Sequence, residues 1–167
     1  MTEGFNIEPL TSAHQRKNFA SGVAALDRYL HELATQDMRR RVSNCFVALA
    51  TDQTVAGYYT LAAAGFPLSE LSAEVTKRLP RYRLLPAGLI GRLAVDLRFR
   101  GRRLGSTLVM DAVHRAMRAD PAIFALVVDA KDEAAVAFYQ HLGFIRFQSS
   151  SMRLFLAIET ALRALRL

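Results

Sequence analysis

The sequence predicts an α/β (α+β) fold, a mixed sheet of six to seven strands with helices on both faces. Three observations predict it. Strand-like and helix-like segments follow one another in the order β-α-β-β-α-β-α-β-α-β-β. The stretch Ala87 to Ala119 (AGLIGRLAVDLRFRGRRLGSTLVMDAVHRAMRA) passes from a strand through a basic, glycine-bearing loop into an amphipathic helix. Ile123 to Asp129 (IFALVVD) is a nearly continuous apolar run, as a central strand buried on both faces would be. With 167 residues, 51% of them hydrophobic, the chain is read as one domain, residues 1–167, with a substantial core and no disorder.

Each element has its own signal. Phe5 to Leu10 alternates apolar and polar residues and ends on proline, so it reads as a short strand. Residues 11–20 are polar and loop-like. From Gly22 to about Arg41 the residues Val23, Leu26, Leu30 and Leu33 recur at helical spacing. Ser21 is placed to cap this helix, and Arg39, Arg40 and Arg41 stand at its C-terminal end, where cations complement the dipole. Asn44 to Ala50 (NCFVALA) and Val55 to Ala64 (VAGYYTLAAA) are strands joined in a hairpin by Thr51-Asp52-Gln53-Thr54. Cys45, the only cysteine, excludes an intramolecular disulfide and reads as a buried small hydrophobe. Ser69 to Leu79 is a short helix with Leu71, Val75 and Leu79 on one face. Pro80 and Pro86 bracket residues 81–85, which must be extended or looped.

Gly88 to Asp96 is the strand that opens the central stretch, and Arg98 to Gly105 is its loop. Leu104, Leu108, Val109, Ala112, Val113, Ala116 and Met117 then mark one buried face of a helix. Asp120-Pro121 ends it. After Ile123–Asp129, residues 132–142 (DEAAVAFYQHL) form a helix with Asp132 or Glu133 at its positive end and Gly143 as its stop. Phe144–Phe147 is a strand, Gln148–Ser151 a turn and Met152–Ile158 the last strand. Glu159–Leu167 is a short helical tail.

Several function classes fall away on composition. The N-terminus, MTEGFNIEPL, carries acids and lacks the apolar core of a signal peptide. The longest apolar stretch, Val55 to Phe66, is too short and interrupted to span a bilayer, so no membrane partner is expected and the cytoplasm is the default location. His14, His31, His114 and His141 show no metal-site spacing, and no Ser-His-Asp order is visible, so no metal is expected. A formal charge of +7 favours a polyanionic partner. Strand, glycine-bearing loop and helix make an anion-binding arrangement. The first helical N–H groups lack helical partners and point along the positive end of the dipole, and loop arginines add charge-assisted bonds.

The loop Arg100-Gly101-Arg102-Arg103-Leu104-Gly105 resembles the acetyl-coenzyme A loop of the GNAT superfamily of N-acetyltransferases, written Gln/Arg-x-x-Gly-x-Gly/Ala between a strand and a long helix. Arg103 stands where that signature has its first glycine. It is tolerated there at φ below zero and strained at φ above zero. A second segment, residues 134–144 (AAVAFYQHLGF), is similar to the superfamily's Ala-x-x-Phe-Tyr helix ending in a Gly-Phe strand start, and its order and distance from the loop also match. The resemblance spans nearly the whole chain. It implies a mostly antiparallel sheet with a V-shaped splay where Leu93–Val95 and Val127–Asp129 part. Acetyl-coenzyme A is then the co-substrate: main-chain atoms of Leu93 and Val95 contact its pantetheine, while Arg100, Gly101, Arg102, Arg103, Gly105 and Ser106 hold its pyrophosphate. A neutral amine attacks the thioester, a main-chain N–H near Val95 polarises the carbonyl, and Tyr139 gives its proton to the departing sulfur. No general base stands out. An α-amine, with a pKa of about 8, needs less help than a lysine amine at about 10.4.

Further segments, among them Gly22 to Leu30, Gln36 to Arg41, Val55 to Leu61, Leu79 to Tyr82, Gly91 to Asp96 and Val128 to Asp132, resemble the GNAT toxins of bacterial type II toxin–antitoxin modules. That resemblance implies acetylation of the α-amino group of aminoacyl-tRNA, which blocks translation. It also implies a ribbon–helix–helix antitoxin, promoter DNA contacted only through the antitoxin complex, and a homodimer. Candidate RNA-phosphate contacts are Arg39, Arg40, Arg41, Lys77, Arg78, Arg81, Arg83 and Arg92. Two alternatives stand beside this reading: a protein or small-amine N-acetyltransferase, and an inactive nucleic-acid-binding module whose coenzyme loop is degenerate at Arg103.

Overall fold

A computed structural model describes residues 4–79, 81 and 84–165. Among these the strands are β1 (Asn6–Pro9), β2 (Asn44–Leu49), β3 (Val55–Pro67), β4 (Leu84–Val95), β5 (Ala125–Asp129), β6 (Ile145–Arg146) and β7 (Arg153–Ala157). The helices are α1 (Ala24–Arg28), α2 (Ala34–Arg39), α3 (Ala73–Thr76), α4 (Leu104–Met117), α5 (Glu133–His141) and α6 (Ile158–Leu165). The strands form one sheet in the order β1-β2-β3-β4-β5-β7-β6. β4 and β5 run parallel, while β1–β2, β2–β3, β5–β7 and β6–β7 are antiparallel. The mixed, mostly antiparallel sheet expected from the sequence is the one observed, with seven strands. Pro9 sits in β1, at the sheet edge, where a missing N–H costs little.

The chain divides into two compact units. The first comprises Met1–Ala62 and Gly91–Ala112. Its core joins Leu10, Phe19, Tyr29, Leu30, Cys45, Val47, Leu49, Val55, Tyr58 and Ala94. Cys45 is fully buried there, and burial pushes its thiol up to about 12. The helix expected from Gly22 to Arg41 is not continuous. A π-helical stretch, Tyr29–Leu33, separates α1 from α2. Ser21 does not cap it either: Val23 holds the N-cap position without a side-chain bond. Ser21 donates its backbone N–H and its hydroxyl to Asp27 Oδ1, at 2.8 and 2.6 Å, so Asp27 ties the approach to the helix.

The second unit comprises Ala63–Ile90 and Val113–Leu167. Its core joins Phe66, Leu71, Leu85, Ala87, Ala125, Val127, Phe147 and Phe155. The single helix expected over Ser69–Leu79 is broken into a 3₁₀ turn, Leu68–Glu70, and the short α3, because Leu71 is extended and buried. Glu70 explains the break. Its carboxylate accepts the N–H and hydroxyl of Ser149, at 3.2 and 2.7 Å, and a continuous helix would carry it elsewhere. Asp132 caps α5 by accepting the Ala135 N–H at 2.8 Å, and Gly143 ends that helix at φ +102°, both as the sequence indicates. Strand Phe144–Phe147 is shorter than expected, only Ile145–Arg146.

Candidate active site

β4 pairs with β5 from Ala87↔Ala125 to Ile90↔Val128, and residues 91–95 continue past this ladder. Side chains alternate along a strand. Ala94 enters the first unit's core, while Leu93 and Val95 stay half-buried. β3 approaches closely on the other side. A Cβ at Gly57 would lie 3.0 Å from the Ala94 carbonyl and 3.2 Å from the Leu104 and Leu108 side chains, so a methyl there would press on the β4 backbone and on the start of α4.

Asp96 ends β4. Its buried carboxylate accepts the Arg98 N–H at 2.9 Å, two guanidinium bonds from Arg98 at 2.9 and 3.1 Å, and the Ala20 N–H at 3.0 Å. Burial alone would raise this carboxyl, but the bonds from Arg98 and Ala20 outweigh it and hold the group below the usual carboxylate range. Arg98 is thereby consumed. Arg100 donates to the Ser21 carbonyl at 3.0 Å, and Arg102 lies over the Phe99 ring at 5.2 Å. Gly101 is exposed at φ +79°, with nothing within 4 Å of a Cβ, so conformation and not space demands glycine. Arg103 has φ 58°, which is the strained alternative for that position. Gly105, expected at the end of the loop, belongs with Ser106 to the first turn of α4.

Tyr139 lies in the second unit. It is buried between Phe138 and Phe144, whose ring centroids are 5.0 and 5.3 Å away, both edge-to-face. Burial pushes its phenol up to about 12. Buried tyrosines usually find a hydrogen-bond partner, and three here do. Tyr29 donates to Asp37 Oδ2 at 2.8 Å, Tyr58 to the Leu26 carbonyl at 2.6 Å and Tyr59 to Asp111 Oδ2 at 2.6 Å. Among the described residues the Tyr139 hydroxyl has none. Its proton is uncommitted.

Register brings some of the basic residues together. Asn44 pairs with Leu61 and Cys45 with Thr60, and Thr60 Oγ1 accepts the Arg92 N–H at 3.0 Å. Arg39, Arg40 and Arg41, just before β2, therefore share one end of the first unit with Arg92. All three are exposed, and Arg41 has φ 59°. Lys77, Arg78 and Arg81 are exposed in the second unit. Arg83 lies outside the described residues. Tyr29, whose ring faces the Arg92 guanidinium, and Asp37, which accepts the Tyr29 phenol, are not among the residues singled out from sequence. Their spacing of eight residues, about two helical turns, was the available signal. Among the described residues no cluster of three His, Cys, Asp or Glu could hold a metal ion.

The profile of the acetyltransferase (GNAT) family matches residues 10–144. The tRNA-acetylating toxin of Mycobacterium tuberculosis is 34% identical over 154 residues, covering 91% of each chain. The structure of AtaT complexed with acetyl-methionyl-tRNAfMet superposes with a TM-score of 0.90 at 28% identity, covering 98% of this chain and all of that one. A tyrosine-to-phenylalanine mutant of the AtaT toxin, bound to the C-terminus of the antitoxin AtaR and acetyl-CoA, superposes with a TM-score of 0.80 at 26% identity, covering 98% and 99% of the two chains.

Proposed function

The chain belongs to the acetyltransferase (GNAT) family, and from that premise we propose that it is a toxin acetylating the α-amino group of aminoacyl-tRNA. The observation that carries this reading is the run of β4 past its ladder into a glycine-bearing loop at a helix N-terminus. That arrangement fits acetyl-coenzyme A. Main-chain groups of Leu93 and Val95 would hold its amide arm, as an added strand does. The loop residues Arg100, Gly101, Arg102 and Arg103, with Gly105 and Ser106 at the start of α4, would hold its pyrophosphate. Bound there, the coenzyme supplies an acyl thioester.

The chain's own residues do the rest. Tyr139 keeps its proton at neutral pH, because its pKa is far above 7. A phenol raised to about 12 is a weaker acid than a free one, so it gives up its proton only as negative charge develops on the departing sulfur. With no protein acceptor engaged, its O–H is available to the sulfur. Arg39, Arg40, Arg41 and Arg92 would meet RNA phosphates, with Lys77, Arg78, Arg81 and Arg83 as further contacts. The relatives' names support the acceptor, since the Mycobacterium protein is called tRNA-acetylating and AtaT is seen with acetyl-methionyl-tRNAfMet.

An antitoxin belongs to the same reading, supported by the AtaT–AtaR complex. We take it to be of ribbon–helix–helix type, with promoter DNA reached only through the complex and the toxin a cytoplasmic homodimer. No helix among the described residues is long and apolar enough to cross a membrane. The test is incubation with radiolabelled acetyl-coenzyme A and charged total tRNA. Label is expected on aminoacyl-tRNA and not on deacylated tRNA. Label confined to protein or to small amines would overturn the acceptor, and absence of coenzyme binding by calorimetry would overturn the enzyme.

A further inference from the structure

The arginines of this protein differ in what their guanidinium groups already touch. Arg28, Arg98, Arg146, Arg153 and Arg163 are paired with carboxylates. Arg16 donates to the Leu30 carbonyl at 2.9 Å and to Thr35 Oγ1 at 2.7 Å, and Arg100 donates to the Ser21 carbonyl. Arg92 is half-buried, yet among the described residues it has no carboxylate partner. Its guanidinium carbon lies 3.6 Å from the centre of the Tyr29 ring. A ring face attracts a cation without consuming an N–H. The planar fork therefore keeps its donors for an incoming anion.

The ring itself is fixed. The Tyr29 phenol donates to Asp37 Oδ2 at 2.8 Å, and Tyr58 stacks with the same ring at 6.3 Å between centroids. A phenol bonded to a carboxylate carries more electron density in its ring, which strengthens its hold on a cation. The backbone of Arg92 is fixed as well, by Thr60. Arg92 stands two residues beyond the last β4–β5 pair, Ile90↔Val128, where β4 has no ladder partner in β5.

We propose that Tyr29 and Asp37 are positioning residues, which hold the Arg92 guanidinium ready for a phosphodiester at the 3′ end of the acceptor RNA. This rests on the reading of aminoacyl-tRNA as acceptor. An ion pair in place of the ring would have to break before the phosphate was bound. The ring lets the cation stay charged, half-desolvated and oriented in advance, which lowers the ordering cost of binding.

The experiment measures binding of charged total tRNA across a salt series, and steady-state acetyl transfer, for Arg92→Ala, Tyr29→Leu, Tyr29→Phe, Asp37→Asn and the double variant Arg92→Ala/Tyr29→Leu. Arg92→Ala is expected to weaken tRNA binding about tenfold and to reduce the salt slope by about 0.7–0.9, the value of one phosphate contact. Tyr29→Leu is expected to raise KM for charged tRNA by a similar factor with kcat nearly unchanged, and to add nothing in the Arg92→Ala background. Tyr29→Phe and Asp37→Asn, which keep the core filled, are expected to raise KM about two- to fivefold. Acetyl-coenzyme A affinity should not move in any of them. Additive losses from Arg92→Ala and Tyr29→Leu, or an unchanged salt slope in Arg92→Ala, would overturn the proposal while the acceptor reading stands. Failure of the wild-type protein to bind charged tRNA would remove both.

Discussion

Tyr139 is separated from its fellow tyrosines by what it lacks. The hydroxyls of Tyr29, Tyr58 and Tyr59 are spent on protein acceptors, and that of Tyr139 is not. Tyr139→Phe removes no protein hydrogen bond, so it should leave the melting temperature within a degree or two. Loss of a general acid costs on the order of 10²–10⁴ in rate, so acetyl transfer to charged tRNA should fall by about that factor with coenzyme affinity unchanged. Arg41 and Arg103 pose a different question. Both are exposed arginines in the left-handed region. That conformation costs an ordinary residue ~1–2 kcal/mol, while glycine brings ~0.5–1 kcal/mol of extra chain entropy. Arg103→Gly should therefore stabilise the protein by about 0.5–1 kcal/mol in urea denaturation, and Arg41→Gly likewise. If each also weakens its anion, coenzyme for Arg103 and tRNA for Arg41, the strain is offset by function.

The strand–loop–helix unit depends on close packing behind it. Gly57 lets β3 lie against the Ala94 carbonyl and against Leu104 and Leu108 of α4. Backbone cannot yield as a side-chain tip does. Gly57→Ala should cost roughly 1–3 kcal/mol by overpacking and should weaken coenzyme binding, because β4 and the start of α4 must both shift. Isothermal titration alongside urea melts would separate the two effects. The interrupted helix from Ala24 to Arg39 shows the limit of periodicity at this level. The spacing of Leu26, Leu30 and Leu33 indicates a helix but not the π stretch at Tyr29–Leu33, since an inserted residue in the turn depends on how Tyr29 seats in the core. In the same way, Leu71 and Glu70 break the helix expected over Ser69–Leu79 through contacts with residues far along the chain.

The charge balance of the whole chain makes two more predictions. If each of the four exposed or half-exposed arginines at one end of the first unit meets one RNA phosphate, as proposed, there are about four phosphate contacts. Binding of charged tRNA should then weaken by about two orders of magnitude between 50 and 200 mM salt, and a flat response would count against the patch. Stability should fall at alkaline pH. Burial raises Cys45 and Tyr139 to about 12, and it raises Tyr29 and Tyr58 as well. Between the unfolded values near 9–10 and the folded ones, the native state binds more protons than the unfolded state. Stability present below pH 9 is therefore lost as pH rises, by up to about 1.4 kcal/mol per pH unit for each group. Guanidinium midpoints at pH 8, 10 and 11 would show it, and a constant midpoint would contradict this burial.

Much of this protein is legible in local order along the chain. The hairpin of β2 and β3, the buried run of β5, the face of α4 from Leu104 to Ala116, and the cap and stop of α5 each follow from spacing or from one residue's backbone preference; Met117, placed on that face by the same spacing, is exposed at the end of the helix. The two motifs around Arg100–Gly105 and Phe138–Tyr139 name the chemistry in the same local way. The backbone angle at Arg103, the uncommitted hydroxyl of Tyr139 and the seat of Arg92 on Tyr29 had to await the folded chain. Each depends on which distant residues become neighbours, and a contact between residues far apart in sequence leaves no period for the eye to find.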